Sequence, residues 1–287
     1  MSQLSAPVRL DPDALPALDS DYALSRDQID RYQADGHVLL RGFAAPNEVA
    51  PYRDVIAVHT AEHAESYAPL AERTTYGKAF VQFTNAWERD DAVRRFVFAR
   101  RFAKAAADLM GVEGVRLYHD QALFKEPGGG RTPWHQDQPY WPLGAYRCVT
   151  MWMPLVDATA EMGTLRFASG SQNLGYTGRL GISDESEDRL GGVVRQMRYP
   201  VVEAGAMRAG DATFHAGYVV HGAAGNASAD ATREVMTVIY VEDGARVCPP
   251  DTPQRENDMA RWLRGLGPGD AAAGPLNPLL YHRSESP

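Results

Sequence analysis

Apolar positions recur along this chain with two different periods, and the change from one to the other divides it. From Ser25 the spacing is helical. SRDQ has the Ser-x-x-Gln form of a capping box, Ile29 and Tyr32 supply an apolar stripe, and Asp35-Gly36 ends a short predicted helix. His37 to Phe43 (HVLLRGF) reads as a strand. A second helix is predicted from Pro46 through Val49, Tyr52, Val55, Ile56 and His59, with the proline where a first turn accepts it. A third spans about Asp90 to Met110, where Val93, Phe96, Val97, Ala103, Ala106 and Leu109 lie at helical spacing before Gly111.

From Val115 onward short β-rich runs separated by Gly, Pro and Asn replace the helical texture. Strands are predicted near 115–125, 148–156, 164–168, 211–220 and 233–242. Helices first and strands afterwards imply a mainly β protein, an antiparallel core with flanking helices on one side. Residues 1–24, rich in Pro, Asp and Ala, read as an irregular arm, 25–247 as one domain, and 248–287 as a wrapping extension with a short helix around Gln254 to Leu266. The polar stretch 172–205, with GYTGRLG and RLGG, is long enough to be expected to cover an active site.

Composition narrows the partners. The chain has 287 residues, 29 Lys plus Arg against 37 Asp plus Glu, a net charge of −8, and 44% hydrophobic residues. That supports a sizeable core, and an acidic balance without a basic run argues against nucleic acid as a partner. Cys148 and Cys248 stand far apart with no second cysteine near either, so neither a disulfide framework nor a CxxC metal site is available. No basic start followed by an apolar stretch occurs, and no run approaches the roughly 18 apolar residues that span a bilayer. The expectation is a cytoplasmic protein, without a membrane partner, that acts on a small molecule.

The sharpest chemical signal is WHQDQPYWP at 134–142. His135 and Asp137 are two apart, so on an extended strand both would face one cation. Among the eight histidines, His221 is preferred as a third ligand because it follows the run DATFHAGYVV and opens HGAAGN. His215 is its rival, since six residues apart on an extended segment the two share a face. Two imidazoles and one carboxylate on one side of a metal suit non-heme Fe(II), with zinc as the competing ion. Arg233, twelve residues after His221 and at the start of EVMTVIYV, brings a guanidinium into an apolar strand and calls for an anionic partner, such as the carboxylate of a cosubstrate.

HQD, then a GD-initiated strand ending in HG, then an Asn and an Arg about a dozen residues later, resemble the phytanoyl-CoA dioxygenase (PhyH) family of Fe(II)/2-oxoglutarate-dependent oxygenases. The similarity runs from the helix and strand at 25–43 to about residue 243. It implies a double-stranded β-helix, a cupin-like jelly roll, with helices outside. It further implies that His135, Asp137 and His221 bind iron, that Arg233 pairs with the distal carboxylate of 2-oxoglutarate, and that Gln121 and Trp152 line the cosubstrate pocket. Lys78, Phe80, Gln82 and Asn85 fall in a region that supplies pocket residues in relatives. Two departures stand out: Ala223 where the family often has Ser, so that one hydrogen bond is absent or replaced, and Gln172 in ASGSQ in place of a His. Halogenating relatives lack the metal carboxylate, so Asp137 implies oxygenation: O2 and 2-oxoglutarate are consumed, succinate and CO2 are released, and a C–H bond of a small molecule is hydroxylated. The same centre also serves cyclisation, desaturation or epimerisation, and a non-enzymatic alternative is a metal-binding jelly-roll module. An anionic substrate is suggested by Arg179, Arg189, Arg195 and Arg198 in the expected cover.

Overall fold

Two antiparallel sheets stacked face to face organise the chain in the computed structural model, which describes residues 11–144, 147–178 and 180–285. In chain order the regular elements begin with α1 (Arg26–Asp35), β1 (His37–Leu40), α2 (Pro46–Ala64), α3 (Thr75–Ala79), β2 (Val81–Thr84), α4 (Asp91–Val97) and α5 (Arg100–Met110). There follow β3 (Gly114–Phe124), β4 (Thr132–His135), β5 (Cys148–Pro154), β6 (Leu165–Ala168), α6 (Asp184–Met197) and β7 (Val201–Glu203). The last are β8 (Ala212–Ala216), β9 (His221–Ala223), β10 (Val235–Glu242), α7 (Pro253–Trp262) and β11 (Leu279–His282). The larger sheet has the order β1-β8-β5-β10-β3-β11, with β2 also paired to β3, and the smaller is β4-β9-β6-β7. This is the double-stranded β-helix, or jelly roll, that the sequence resemblance implies.

Side-chain parity decides what each face of the larger sheet does. Met236, Val238 and Tyr240 of β10, Val149, Met151 and Met153 of β5, and Phe214 of β8 point outward into a core shared with α2, α4 and α5. Their alternate neighbours Thr150, Trp152, His215 and Thr237 point inward to a cavity between the sheets. Both faces are buried, which is why these strands read as nearly continuous apolar runs.

The first helix matches its sequence signals closely, with Ser25 and Gln28 closing a reciprocal capping box and Gly36 ending it in the left-handed region at φ 76°. The helix predicted over Asp90 to Met110 is instead two. Its break at Phe98 and Ala99, where ψ moves to 119° at Ala99, separates α4 from α5. Six residues apart on an unbroken helix, Phe96 and Phe102 would face different ways. The break brings their rings to 5.1 Å, edge to face, inside the core.

The stretch 172–205 is not one irregular segment, although Gly181 and Ile182 within it line the cavity between the sheets. It folds into α6 and β7, and Leu190 and Val194 of α6 pack on Trp134. Glu187 accepts from the Trp134 amide at 2.8 Å and from Arg166, whose guanidinium lies 4.1 Å from the Trp134 ring centroid. Arg189 pairs with Glu185 on the same helix, and Arg189, Arg195 and Arg198 are absent from the cavity wall; Arg179 lies outside the described residues. Truncating Phe214, which contacts the Phe43 ring edge to face at 5.3 Å and is fully buried, is expected to cost about 3–5 kcal/mol, read as a lower midpoint in urea unfolding at unchanged slope.

Candidate metal centre

One carboxylate gathers side chains from both sheets. Strand β4 ends at His135, and Asp137 does not continue it: the residue is helical (φ −78°, ψ −46°) and opens a 3-10 turn over Gln138–Tyr140. Strand alternation therefore does not bring His135 and Asp137 together, and the turn does. Gln138 N donates to Gly217 O at 2.8 Å, and a Cβ on Gly217 would lie 2.6 Å from Gln138 Oε1 and 2.9 Å from the Trp141 ring, so this crossing requires a residue without a side chain.

His215 and His221 also differ from the sequence expectation. They do not share one extended segment: β8 belongs to the larger sheet and β9 to the smaller, and the chain changes sheets between them. Both nevertheless reach the site, with ring centroids 4.3 Å apart. His135 and His221 face each other across β4 and β9 as paired residues, with ring centroids 4.1 Å apart.

The ligand atoms of His135, Asp137 and His221 lie within 4.8 Å of one another. Asp137 Oδ1 is 3.5 Å from His135 Nε2 and 3.7 Å from His221 Nε2. His135 Nδ1 contacts the Pro133 carbonyl at 2.8 Å and His221 Nδ1 the Val219 carbonyl at 3.1 Å. A carbonyl only accepts, so each Nδ1 carries the proton and each Nε2 keeps its lone pair for a metal. His215 is not a member of the cluster. Its Nε2 lies 3.3 Å from Asp137 Oδ2, the oxygen to which Thr150 also donates at 2.9 Å. Two contacts on Oδ2 leave Oδ1 for an ion, and the three donors fit one divalent metal bound from a single side.

Electrostatics agree with that donor set. Burial works to raise the Asp137 carboxyl, but His221, His215 and His135 outweigh it and hold the group well below the usual carboxylate range. Burial, with like neighbours second, pushes His135 and His221 down to about 4, so both are neutral and able to ligate at pH 7.

Arg233 lines the same cavity and is 1% exposed. Its Nη1 donates to the Gly163 carbonyl, its Nε has no partner among the described residues, and its guanidinium stands 5.3 Å from the Trp152 centroid. Desolvation pulls it down to about 9, still a cation at neutral pH and one that demands an anion. Gln121 and Trp152 are both on the cavity wall, and Gln82 donates to Gln121 Oε1. The cavity has a volume of about 780 Å³. One wall went unforeseen: Gln254, Asn257, Asp258, Arg261 and Trp262 of α7 line it. Their three- and four-residue spacing is a helical face that the sequence already contains. Asp258 there accepts from Tyr118 at 3.3 Å, and burial raises its carboxyl to about 7.

Comparison with known proteins places the chain in a family. The family model for phytanoyl-CoA dioxygenase (PhyH) matches residues 32–235. "Dioxygenase hkm4" of Aspergillus hancockii is 25% identical over 229 residues, covering 72% of this chain and 68% of that protein. Among solved structures, the non-heme alpha ketoglutarate dependent carbocyclase SnoK is 27% identical with a TM-score of 0.72, covering 89% of this chain and 96% of its own. The epimerase SnoN, in complex with Fe3+, alpha ketoglutarate and nogalamycin RO, is 26% identical with a TM-score of 0.71, covering 89% and 98%.

His215→Gln and Thr150→Val should each lower Fe(II) affinity by about 10–100-fold while the fold is kept, as measured by competition with a chelating dye; unchanged affinity would show that the Oδ2 contacts do not orient Asp137. His135 and His221 have folded values near 4 against 6.5 unfolded, so the unfolded chain binds more protons between those limits. Stability of the metal-free protein is therefore complete above about pH 6.5 and falls as pH drops toward 4. A divalent ion competing for the same Nε2 atoms should delay that fall in a Tm-versus-pH series.

Proposed function

The chain belongs to the phytanoyl-CoA dioxygenase (PhyH) family and is a non-heme iron, 2-oxoglutarate-dependent oxygenase, and on that premise we propose that it hydroxylates a C–H bond of a small organic molecule. His135, Asp137 and His221 hold the ferrous ion, and Arg233 anchors the cosubstrate. The observation that carries these assignments is the juxtaposition, in one cavity, of a three-donor cluster with a buried guanidinium that meets no carboxylate among the described residues. When bound, iron and 2-oxoglutarate supply with O2 an oxidant strong enough to take hydrogen from carbon, leaving succinate and CO2.

The chain's residues bind, orient and exclude water. His215 and Thr150 fix the Asp137 carboxylate through Oδ2. The Trp152 face covers the guanidinium of Arg233 and keeps solvent from it. Gln121 presents its amide to the same chamber, held by Gln82. The remaining volume exceeds what a five-carbon diacid fills, and its walls are Tyr76, Phe80, Phe83, Tyr140 and Trp262 opposite the polar edge of α7. A ring-bearing substrate with a polar rim suits such walls, and the ligand named for SnoN supports a natural-product scaffold. Arg89, Arg261 and Arg264 also line this chamber, where a negative group on the substrate would be met.

Ring closure or epimerisation at the same centre is the second reading, favoured by the likeness to a carbocyclase and an epimerase at 27% and 26% identity. Anaerobic addition of Fe(II) and 2-oxoglutarate should give a weak visible charge-transfer band, and candidate substrates should stimulate succinate release. No band would sink the oxygenase assignment, and mass analysis of the product, a gain of one oxygen or none, divides hydroxylation from the second reading. His135→Ala and Asp137→Ala should abolish succinate formation, whereas Arg233→Ala should mainly raise the 2-oxoglutarate concentration required.

A further inference from the structure

Three carboxylates line the chamber: Asp137, Glu88 and Asp258. The first is one of the metal donors. Glu88 is engaged on both oxygens, accepting from Asn85 Nδ2 at 3.0 Å and facing Arg264 Nη1 at 3.7 Å. Asp258 has neither a place among the metal donors nor, among the described residues, a cation within ion-pair distance. Arg261, three residues further along α7, does not close that gap. Its guanidinium lies 4.5 Å from the Trp262 centroid, and its Nη2 donates to Thr84 Oγ1 on β2 at 3.3 Å.

A carboxylate offers about four lone-pair sites. Two donors hold this one, the Tyr118 hydroxyl at 3.3 Å and the Trp262 side chain. Both belong to packed groups, since Tyr118 is fully buried and the Trp262 ring stacks on His119 at 4.9 Å. The remaining sites are open to whatever fills the chamber that Asp258 lines. Burial outweighs the Tyr118 bond and the through-space pull of Arg261, and leaves the carboxyl at about 7. Burial also raises the Tyr140 hydroxyl to about 12, with Asp137 and Asp258 both adding to the rise, so one ring stands near the metal carboxylate and near Asp258. A neutral hydroxyl would occupy a lone pair of Asp258 and leave its charge unmatched, whereas a cation satisfies both.

We propose that Asp258 is a specificity-determining residue that pairs with a protonated amine of the substrate. This rests on the reading that the chamber over the metal receives an organic molecule, and deepens it by naming a basic group that the molecule carries. The same molecule can also carry the negative group that Arg89 would meet.

The test is calorimetric titration of the anaerobic protein, loaded with Fe(II) and 2-oxoglutarate, with 2-phenylethylamine and with 2-phenylethanol. The two share a carbon frame and carry a cation and a neutral hydroxyl respectively at pH 7. The wild type should bind the amine about tenfold more tightly than the alcohol. Asp258→Asn keeps an oxygen for Tyr118 and removes the charge; it should weaken the amine about tenfold and leave the alcohol as the wild type binds it. Should Asp258→Asn not fold, Asp258→Ser takes its place in the same comparison. Equal wild-type affinity for the two compounds, unchanged amine affinity in the variant, or equal weakening toward both overturns the proposal. Absence of saturable binding by either compound overturns it as well, and the charge-transfer band of the same sample separates that result from failure of the oxygenase reading, which would show as no band.

Discussion

The carboxylate of Asp137 is where the two sheets are held to a common purpose. Its Oδ1 faces His135 on β4 and His221 on β9 of the smaller sheet, and its Oδ2 faces Thr150 on β5 and His215 on β8 of the larger. Thr150 and His215 hold Oδ2 and leave Oδ1 facing the Nε2 lone pairs of His135 and His221, so four strands contribute to one site. The strand pairings matter because they set those partners. Thr150 and His215 are opposed in the β5–β8 ladder, and His135 and His221 in the β4–β9 ladder. A one-residue slip in either ladder would turn one of each pair away from the carboxylate.

Much of this was legible in the chain because it obeys local rules. The capping box at Ser25, the apolar spacing of α2 and the strand runs of the β region came from periodicity alone. The metal donors were readable from residue type and order. What escaped was decided by non-local contacts. The break between α4 and α5 answers to a core that needs Phe96 and Phe102 side by side. Asp137 joins His135 through a turn whose shape depends on Gly217 from a distant loop. His215 and His221 meet because the chain changes sheets, which no reading of a six-residue interval as one strand could anticipate. The polar texture of 172–205 concealed α6 because Leu190 and Val194 are the hydrophobic side chains of that helix in a core cluster, while Asp184 and Glu185 of its first turn are exposed.

The cosubstrate end of the cavity shows the opposite economy from the metal end. Asp137 is a carboxylate beside two neutral imidazoles, whereas the Arg233 guanidinium and the Lys125 amine are buried with no carboxylate, among the described residues, within ion-pair distance. Burial, with the neighbouring guanidinium second, pulls the Lys125 amine down to about 6. A site in this condition discriminates strongly, because a ligand lacking the negative group leaves the mismatch in place while one that carries it relieves the repulsion.

Part of the cavity wall comes from yet another part of the chain. The span that matches the family ends at residue 235, and α7, beyond it, completes a wall whose other aromatic side chains, Tyr76, Phe80, Phe83 and Tyr140, lie inside that span. The candidate metal donors and α7 therefore lie in different segments, as a scaffold that hosts many substrates allows. They are not independent. Arg255 of α7 donates to the Pro139 carbonyl at 3.0 Å, within the turn that Asp137 opens, and Tyr118 of β3 donates to Asp258. Two hydrogen bonds therefore tie α7 to its surroundings, one to the turn that Asp137 opens and one to β3 of the larger sheet.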